Sequence, residues 1–402
     1  MERYFTLYHH NRPHSSLDDK MPDEFYFDSL PALPQTAQAN NRKGHIYEAG
    51  ASVQTTEATL TDMMDSSMGR EASHQRPRVS IVLIFLDEAP FLEEAVDSVL
   101  SQTFGAWELL LVDDGSTDGS TKIAKVAARR LPQKIRFLEH EGHTNRGMSI
   151  SRNVGLKHAQ GEYVLFLDGD DVLTRTALSE QVALMEAHPE VGMVYGPMQW
   201  WFEWKKDPPE PYRDFIQNLD QEPNTTIQPP TVVTSFLRNE GATPSGNLFR
   251  TSLVREVGGF EDKFRGMYED QVLRVKFCLR FPVYAANQVW YKYRKHAGSS
   301  CAQAVKQNEA NDARGIFLYW TEDYCRHHHV RDARVWKALN EALRPYRYPR
   351  LTMVGKQMAR YKARLVCRMI EAASPVARRM LPKAIRERIW NHLSGMNSLR
   401  KS

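Results

Sequence analysis

Short apolar runs rich in β-branched residues are the feature that most limits how this chain can fold. Three of them, at residues 79–86, 107–112 and 163–167, each contain at most one strongly polar side chain. Such runs are typical of strands buried on both faces, as in a parallel sheet. Apolar residues at helical spacing lie between them, for example at residues 91–100. Strands that alternate with helices predict an α/β fold built on a doubly wound, mostly parallel sheet.

Acidic residues follow two of these runs. Asp113 and Asp114 end the second run, and Asp168, Asp170 and Asp171 end the third. Parallel sheets bind ligands at the carboxyl ends of their strands, so both groups are expected at one edge. Neighbouring carboxylates raise the cost of ionising one another, and a cation, a helix N-terminus or solvent must compensate. The Asp168-Gly-Asp170 motif suits Mg²⁺ or Mn²⁺, and an Asp-rich turn that caps a helix is the structural alternative.

Several motifs, in order along residues 78–300, resemble those of family 2 glycosyltransferases. The resemblance implies the GT-A fold, a nucleotide-sugar donor such as a UDP-sugar, and transfer of the sugar with inversion. The motifs that carry it are Val79-Ser-Ile-Val, Ser98-Val-Leu-Ser-Gln-Thr-Phe104, Leu111-Val-Asp-Asp-Gly-Ser-Thr-Asp118, Ser151-Arg-Asn-Val-Gly155, Gly161-Glu-Tyr-Val-Leu-Phe-Leu-Asp-Gly-Asp-Asp171 and Gly258-Gly-Phe260.

The resemblance also implies roles for individual residues. The implied nucleotide-sugar-binding residues are Asp87, Asp113, Asp114, Arg152, Asn153, Asp168 and Arg294. The implied ligands of a Mn²⁺ or Mg²⁺ ion are Asp168, Asp170 and His296. An ordinary basic surface loop is nearly as good an explanation for Arg294 and His296. One departure concerns the turn after the first strand, where the family usually has a Pro-x-Tyr-Asn-like sequence. Here Asp87 stands where Asn is common, and Pro and Tyr are absent, which leaves the donor less defined.

The expected catalytic pair is Asp270 with Glu269 beside it. Inverting transfer is a single displacement at the anomeric carbon, and it needs one base to take the proton of the acceptor hydroxyl. In the family this base is the Asp of a Glu-Asp pair that follows a Gly-Gly-Phe turn, which matches the order found here. The alternative is a charged first turn of a helix, where acidic side chains interact favourably with the helix dipole.

The chain changes composition outside this domain. Residues 1–42 resemble the C-terminal end of the integrase core of insertion-sequence transposases, without the Asp, Asp, Glu triad that such enzymes need. This segment indicates a genomic fusion or a gene start assigned too far upstream. Residues 43–77 have the polar, aperiodic composition of a disordered linker. Residues 301–402 are expected to form a helical and increasingly basic region.

Charge and cysteine content exclude some classes of partner and site. A net charge of +4 over 402 residues is too small to argue for a nucleic-acid partner. None of the four cysteines lies in a CxxC pair, so neither a zinc ribbon nor a disulfide framework is indicated. No apolar run approaches the roughly 18 to 20 residues that span a bilayer, and the N-terminus lacks a signal-peptide core. These features favour a cytoplasmic location.

An apolar stripe is predicted on a helix of the C-terminal region. Its members are Val354, Met358, Tyr361, Leu365 and Met369, with basic residues around them. A basic amphipathic helix can pack its apolar face on the catalytic domain, which is the slightly favoured interpretation. It can also rest on the anionic inner face of a membrane, so peripheral membrane contact is the open alternative.

We therefore expect a metal-assisted glycosyltransferase that acts on a saccharide or lipid-linked acceptor, in surface polysaccharide biosynthesis. A nucleotidyltransferase and an inactive sugar-nucleotide binder are the alternatives. A DNA-binding protein built on residues 1–42 is disfavoured by the weak net charge and the missing triad. The cluster of Trp200, Trp201 and Trp204 can stack on an acceptor sugar or belong to the core, which is the commoner fate of Trp.

Overall fold

The computed structural model describes residues 76–205, 213–238, 246–307 and 309–350. The predictions made for residues 1–75 and for the apolar stripe of residues 354–369 lie outside this part of the chain. Within it, a large sheet is covered by helices on both faces, and a smaller sheet lies beside it.

The elements follow one another in the order expected of an α/β fold. The strands are β1 (Val79–Phe85), β2 (Trp107–Asp113), β3 (Ile135–Glu139), β4 (Tyr163–Asp168), β5 (Val172–Leu173), β6 (Met193–Tyr195), β7 (Met198–Trp201), β8 (Phe215–Gln217), β9 (Thr225–Ile227), β10 (Leu248–Arg250), β11 (Val283–Ala285) and β12 (Tyr291–Arg294). The helices are α1 (Leu92–Leu100), α2 (Ser120–Arg130), α3 (Met148–His158), α4 (Ala177–Ala187), α5 (Thr231–Arg238), α6 (Thr251–Glu256), α7 (Glu269–Cys278), α8 (Ser300–Lys306), α9 (Ala310–His327) and α10 (Ala333–Arg347).

The large sheet has the strand order β3-β2-β1-β4-β10-β6-β11-β9. β1 pairs in parallel with β2 and β4, and β2 pairs in parallel with β3, which confirms the predicted parallel core. The small sheet has the order β5-β12-β7-β8, in which β12 and β7 are parallel. The chain crosses from the large sheet to the small one between β4 and β5. Because β1 pairs in parallel with β2 and β4, the carboxyl ends of these three strands meet at one edge of the large sheet.

The apolar runs are continuous because both faces of the central strands are covered. All seven residues of β1 are buried. Ile81 and Leu83 belong to one hydrophobic core with residues of α1, whereas Val82 and Ile84 belong to a second core on the opposite face. Alternate side chains of one strand therefore enter different cores. Because both faces are buried, the strand sequence does not alternate between apolar and polar residues.

The described part of the C-terminal region is helical, as predicted, and shares a core with the sheet. Phe317 and Leu318 of α9 and Leu339 and Leu343 of α10 are fully buried in the second core. These helices pack on α5 and α7. Among the described residues, no helix combines the length and the apolar character that crossing a bilayer requires.

The contact between α3 and β1 generates a stability prediction. A Cβ atom added at Gly155 would lie 2.2 Å from Cγ1 of Val82, a fully buried and β-branched side chain. We expect Gly155→Ala to lower the free energy of unfolding by about 1–3 kcal/mol, the usual cost of overpacking. The gain of helix propensity, roughly 0.5–1 kcal/mol, offsets only part of this cost. Denaturant unfolding measures the difference.

Gly105→Ala is the matched control, because nothing lies within 4 Å of a Cβ atom at that position. We expect this variant to unfold like the unmodified chain. Equal stabilities of the two variants would contradict the close packing of α3 on β1.

Candidate active site

A cavity of about 1720 Å³ opens where β1, β2 and β4 end. Most of the residues predicted for the site line it. These are Asp87, Asp114, Arg152, Asp168, Asp170, Glu269, Asp270 and His296. Asp113, Asn153 and Arg294, which also belong to the described part of the chain, do not line it. Residues far apart in sequence thus surround one space, as the strand-end rule predicts.

Asp113 and Asp114 have different environments although they are adjacent. Asp113 is fully buried and its Oδ1 accepts hydrogen bonds from the backbone N–H groups of Gly115 (3.1 Å) and Ser116 (2.8 Å). Its Oδ2 accepts a hydrogen bond from the Thr121 hydroxyl at 2.6 Å. The carboxylate of Asp113 therefore holds the turn between β2 and α2, where Gly115 has a φ of 88°.

Asp114 lies on the cavity wall. Its Oδ1 accepts hydrogen bonds from the backbone N–H groups of Arg146 (2.7 Å) and Gly147 (3.1 Å). The Nε2 of His140 lies 3.3 Å from the same oxygen and forms a hydrogen bond with the Ser151 hydroxyl. The segment before α3 and a buried imidazole thus fix the orientation of this carboxylate.

Asp87 joins the loop after β1 to the loop after β2. Its Oδ1 accepts hydrogen bonds from the backbone N–H groups of Thr117 (2.6 Å) and Asp118 (3.2 Å). Its own backbone N–H donates to the Ser116 hydroxyl, and its φ of 55° lies in the left-handed region. Asp and Asn tolerate this conformation better than most residues, which gives a local reason for a short polar residue at this position.

Arg152 connects two acidic residues inside the site. One guanidinium nitrogen lies 2.5 Å from Asp168 and another lies 2.7 Å from Glu269. Burial opposes the charged form of Arg152, but the negative charges of Asp168 and Glu269 raise its pKa. Burial raises the pKa of Glu269 to about 7 in spite of the neighbouring guanidinium. The arginine therefore stays charged and compensates the buried carboxylate of Glu269 and the partly exposed carboxylate of Asp168.

Three side chains form a group that could hold a divalent cation. The ligand atoms of Glu88, Asp170 and His296 all lie within 4.8 Å of one another, and the Nε2 of His296 is 2.9 Å from Oδ2 of Asp170. Burial, followed by the negative charges of Asp170 and Asp168, raises the pKa of Glu88 to about 9. Glu88 is not among the site residues predicted from the sequence. In the sequence, only its position next to Asp87, in the turn after the first strand, pointed to a place in the site.

Asp171 has a structural environment of its own. It is fully buried and accepts hydrogen bonds from the Tyr291 hydroxyl and, at 2.7 Å, from the backbone N–H of Arg294. Both partners belong to β12 of the small sheet. Burial, together with the charges of Asp170 and Asp168, raises the pKa of Asp171. This carboxyl group therefore ties the acidic segment after β4 to the neighbouring sheet.

Arg294 is almost completely buried. Its Nε donates to the backbone carbonyl of Asp170 at 2.6 Å, and its guanidinium pairs with Glu94 at 2.7 Å. The rings of Trp201 and Trp204 lie 4.3 and 5.3 Å from the guanidinium carbon. The guanidinium of Arg294 is therefore in contact with groups of the protein itself. Its predicted contact with the donor remains a prediction.

Asn153 holds the Gly-Gly-Phe turn that precedes Glu269 and Asp270 in the sequence. Its Nδ2 donates to the carbonyl of Phe260 at 2.9 Å, and its Oδ1 accepts from the N–H of Phe260 at 2.9 Å. A Cβ atom at Gly259 would lie only 2.7 Å from this Oδ1. The side chain of Asn153 thus fits the Gly-Gly-Phe turn and faces away from the large cavity. Its predicted contact with the nucleotide also remains a prediction.

Asp270 lies in the first turn of α7 and on the cavity wall. Its side chain is about one third exposed and forms an ion pair with Arg274, one turn later on the same helix. The residue before the pair, Tyr268, has a φ of 71° and stacks on Phe317 of α9 with ring centroids 5.2 Å apart. The C-terminal helices therefore support the loop that carries Glu269 and Asp270.

The three tryptophans pack with cations and with other rings. Lys295 lies over Trp200 at 4.4 Å, and Lys205 lies over Trp204 at 4.7 Å. Trp200 also stacks on Phe215, with ring centroids 5.4 Å apart, and is 7% exposed. These contacts favour the core interpretation of the cluster, although Trp200 and Trp204 also contribute to the cavity lining.

Comparison with known proteins identifies a related domain. Residues 80–240 match the family model described as Glycosyl transferase family 2. EpsE of Bacillus subtilis (strain 168), a glycosyltransferase by name, is 38% identical over 112 residues, which are 28% of this chain and 40% of EpsE. TuaG of the same organism, by name a glycosyltransferase of teichuronic acid biosynthesis, is 36% identical over 110 residues, 27% of this chain and 42% of TuaG. The chain spans less than half the length of these curated relatives.

A solved structure shows the same fold. The structure of S. aureus TarS 1–349 in complex with UDP matches with a TM-score of 0.50 and 20% identity, covering 68% of this chain and 73% of that one. The match confirms the predicted GT-A fold, with its mostly parallel sheet and helical C-terminal part. The family-model match ends at residue 240. Glu269 and Asp270 lie outside this match, and their catalytic roles remain predictions.

The buried imidazole beside Asp114 generates a pH prediction. Burial lowers the pKa of His140 below 6.5, although the charge of Asp114 opposes the shift. The unfolded chain therefore binds the proton more readily, and stability is lost as the pH falls from about 6.5 through the folded pKa. We expect His140→Gln to remove this loss. When the pH is lowered from 8 to 5, the difference in free energy of unfolding between the variant and the unmodified chain should therefore shift in favour of the variant. Denaturant unfolding at both pH values measures it.

His143→Gln provides a control of opposite sign. A hydrogen bond with the Ser116 carbonyl raises the pKa of His143, so its contribution is present at low pH and lost as the pH rises. This variant should lose stability relative to the unmodified chain at pH 5. A stability difference for His140→Gln that does not change with pH would contradict the prediction.

Proposed function

We propose that this protein is a glycosyltransferase that uses a nucleotide-sugar donor and transfers the sugar with inversion, assisted by a divalent cation. The observation that carries the proposal is the convergence of Asp114, Asp168, Asp170 and Asp270 on one cavity. The family-model match supports the reaction class. The relatives support it less directly, because the chain spans under half of their length.

The donor is proposed to lie along the ends of β1, β2 and β4. Asp114 is the residue proposed to accept a hydrogen bond from an N–H of the base, since its orientation is already fixed by the N–H groups of Arg146 and Gly147. Asp87 lines the same wall. Asp168 is proposed to face the ribose or the cation. TarS, which shares the fold, was solved with UDP, in line with a donor of the UDP type.

The residues proposed to hold Mn²⁺ or Mg²⁺ are Glu88, Asp170 and His296. The two carboxylates suit either ion, and an imidazole is a common metal ligand; the ligand atoms of all three side chains lie within 4.8 Å of one another. The raised pKa of Glu88 shows how costly a further negative charge is at this point, and a bound cation would offset that cost. A cation bound here would act as a Lewis acid that neutralises charge on the departing diphosphate.

Asp270 is proposed as the base that takes the proton of the acceptor hydroxyl. Its partly exposed carboxylate lies on the cavity wall at the start of α7. Arg274 forms an ion pair with this carboxylate from one turn later on α7. As the acceptor oxygen bonds to the anomeric carbon, the bond from that carbon to the donor phosphate breaks on the opposite face. The sugar is thereby inverted in one displacement.

The acceptor is proposed to be a saccharide, free or lipid-linked, in the synthesis of a surface polysaccharide. The name of TuaG places that relative in teichuronic acid biosynthesis, which supports this class of acceptor. No nucleic acid partner is proposed. Residues 301–402 are proposed to support the catalytic domain, and peripheral contact of that region with the inner face of the membrane is the alternative.

Replacing the base tests the reaction. We expect Asp270→Asn to bind the donor with unchanged affinity and to lower kcat by at least about 10²-fold, because the proton of the acceptor hydroxyl has no base to receive it. A screen of nucleotide-sugars with Mn²⁺, in which nucleotide release is followed, identifies the donor first. Isothermal titration then compares donor affinities.

Glu256→Gln is the control, since Glu256 is an exposed carboxylate at the end of α6. We expect unchanged transfer in this variant. Unchanged transfer in Asp270→Asn would refute the base assignment. Release of pyrophosphate instead of a nucleoside diphosphate or monophosphate would support a nucleotidyltransferase.

Replacing the proposed ligands tests the cation site independently of activity. We expect Glu88→Gln and His296→Gln to weaken Mn²⁺ binding by about tenfold or more, because loss of an outer partner alone already costs 10- to 100-fold at metal sites. Electron paramagnetic resonance of free Mn²⁺ measures the binding.

Glu93→Gln is the matched control, because Glu93 is an exposed carboxylate of the neighbouring helix α1. Its Mn²⁺ affinity should equal that of the unmodified chain. Asp168→Asn decides whether Asp168 is also a ligand, as the sequence predicts, or is engaged by Arg152 alone. An unchanged affinity in Glu88→Gln would remove Glu88 from the site.

A further inference from the structure

A pair of ion pairs in the described part of the cavity wall is centred on the buried Arg152. This residue lies on α3 and is 4% exposed. Its two terminal nitrogens are used by two carboxylates, with 2.5 Å to Oδ1 of Asp168 and 2.7 Å to Oε1 of Glu269. Phe260 covers the guanidinium, with 5.4 Å from its carbon to the ring centroid. The arginine is therefore held on three sides by groups of the protein itself.

The two carboxylates come from different parts of the site. Asp168 is the last residue of β4, at the acidic edge that carries the proposed donor and cation groups. Glu269 is the first residue of α7 and is 6% exposed. It is followed directly by Asp270, the proposed base. One planar guanidinium thus spans the distance between the donor side and the acceptor side of the cavity.

We propose that Arg152 is a positioning residue, which acts through Glu269 to hold Asp270 at a fixed place relative to the end of β4. This inference rests on the proposed function and assigns Arg152 a role different from the donor contact implied by the sequence resemblance. A guanidinium can bind two carboxylates at once in a defined plane, whereas the ammonium of Lys is a single point charge on a flexible chain.

The start of α7 needs such a restraint for two physical reasons. Tyr268, which precedes Glu269, has a left-handed φ of 71°, a conformation that costs free energy for a residue other than Gly. Without the arginine, Glu269 would be a buried carboxylate facing Asp168 with no positive charge between them, which is strongly unfavourable. Glu269 would then turn away, and Asp270 would move with it.

A double-mutant cycle tests this role. The variants are Arg152→Lys, Glu269→Gln and the combination of both. We expect each single variant to lower kcat by about 10²-fold, since a displacement of about 1 Å at a reacting group can have that effect. The KM for the donor and its affinity measured by titration should change less than about threefold. The double variant should be no slower than the slower single variant, because both changes break one interaction.

The control is Arg280→Lys, which alters the exposed ion pair with Glu256 far from α3 in sequence. It should leave kcat and KM unchanged. All measurements are made at a temperature at which circular dichroism shows each variant to be folded, so that a loss of structure does not enter the rates.

Three results would overturn the inference about Arg152. A raised donor KM with unchanged kcat in Arg152→Lys would make Arg152 a donor ligand and overturn the inference. Multiplicative effects in the double variant would also overturn it, because Arg152 and Glu269 would then act independently. If the unmodified chain transfers no sugar from any donor, the proposed function itself fails and the inference fails with it.

Discussion

Crowded negative charge at one edge of the sheet is the constraint on which the site depends. Asp168, Asp170 and Asp171 lie within four positions, and Glu88 approaches them from the end of β1. Carboxylates this close cannot all ionise without compensation. Each aspartate has a different partner, namely an arginine of α3, a histidine after β12, and the hydroxyl and N–H groups of β12 itself. The three aspartates are therefore each compensated by a different group of the protein.

These partners make the fold of the site cooperative. β12 belongs to the small sheet, yet it supplies the hydrogen bonds that hold Asp171 and the arginine that binds the carbonyl of Asp170. The acidic segment lies where the chain passes from one sheet to the other. Docking of the small sheet on the large one and assembly of the acidic group are therefore one event, because neither set of polar groups is satisfied without the other.

The C-terminal helices contribute to the site from outside the region that matches the family model. Phe317 of α9 stacks on Tyr268, and Trp320 contacts Phe264 of the same loop, with centroids 5.8 Å apart. The segment between the Gly-Gly-Phe turn and Asp270 thus contacts α3 through Glu269 and Arg152, and α9 through Tyr268 and Phe264. Within the proposed function, this arrangement makes the helices part of the machinery that places the base, even though they carry no proposed catalytic group.

The sequence by itself determined the parallel core, the edge at which the acids meet and the family resemblance, because buried parallel strands have continuous apolar runs and ligands bind at their ends. Most of the site residues predicted from it line the cavity. The sequence could not separate Asp113 from Asp114 or assign a role to Asp171, since adjacent acidic residues differ only in which distant partner they meet. Glu88 and the bridging role of Arg152 were decided by the tertiary structure alone, because both depend on contacts between segments that the chain order does not place together.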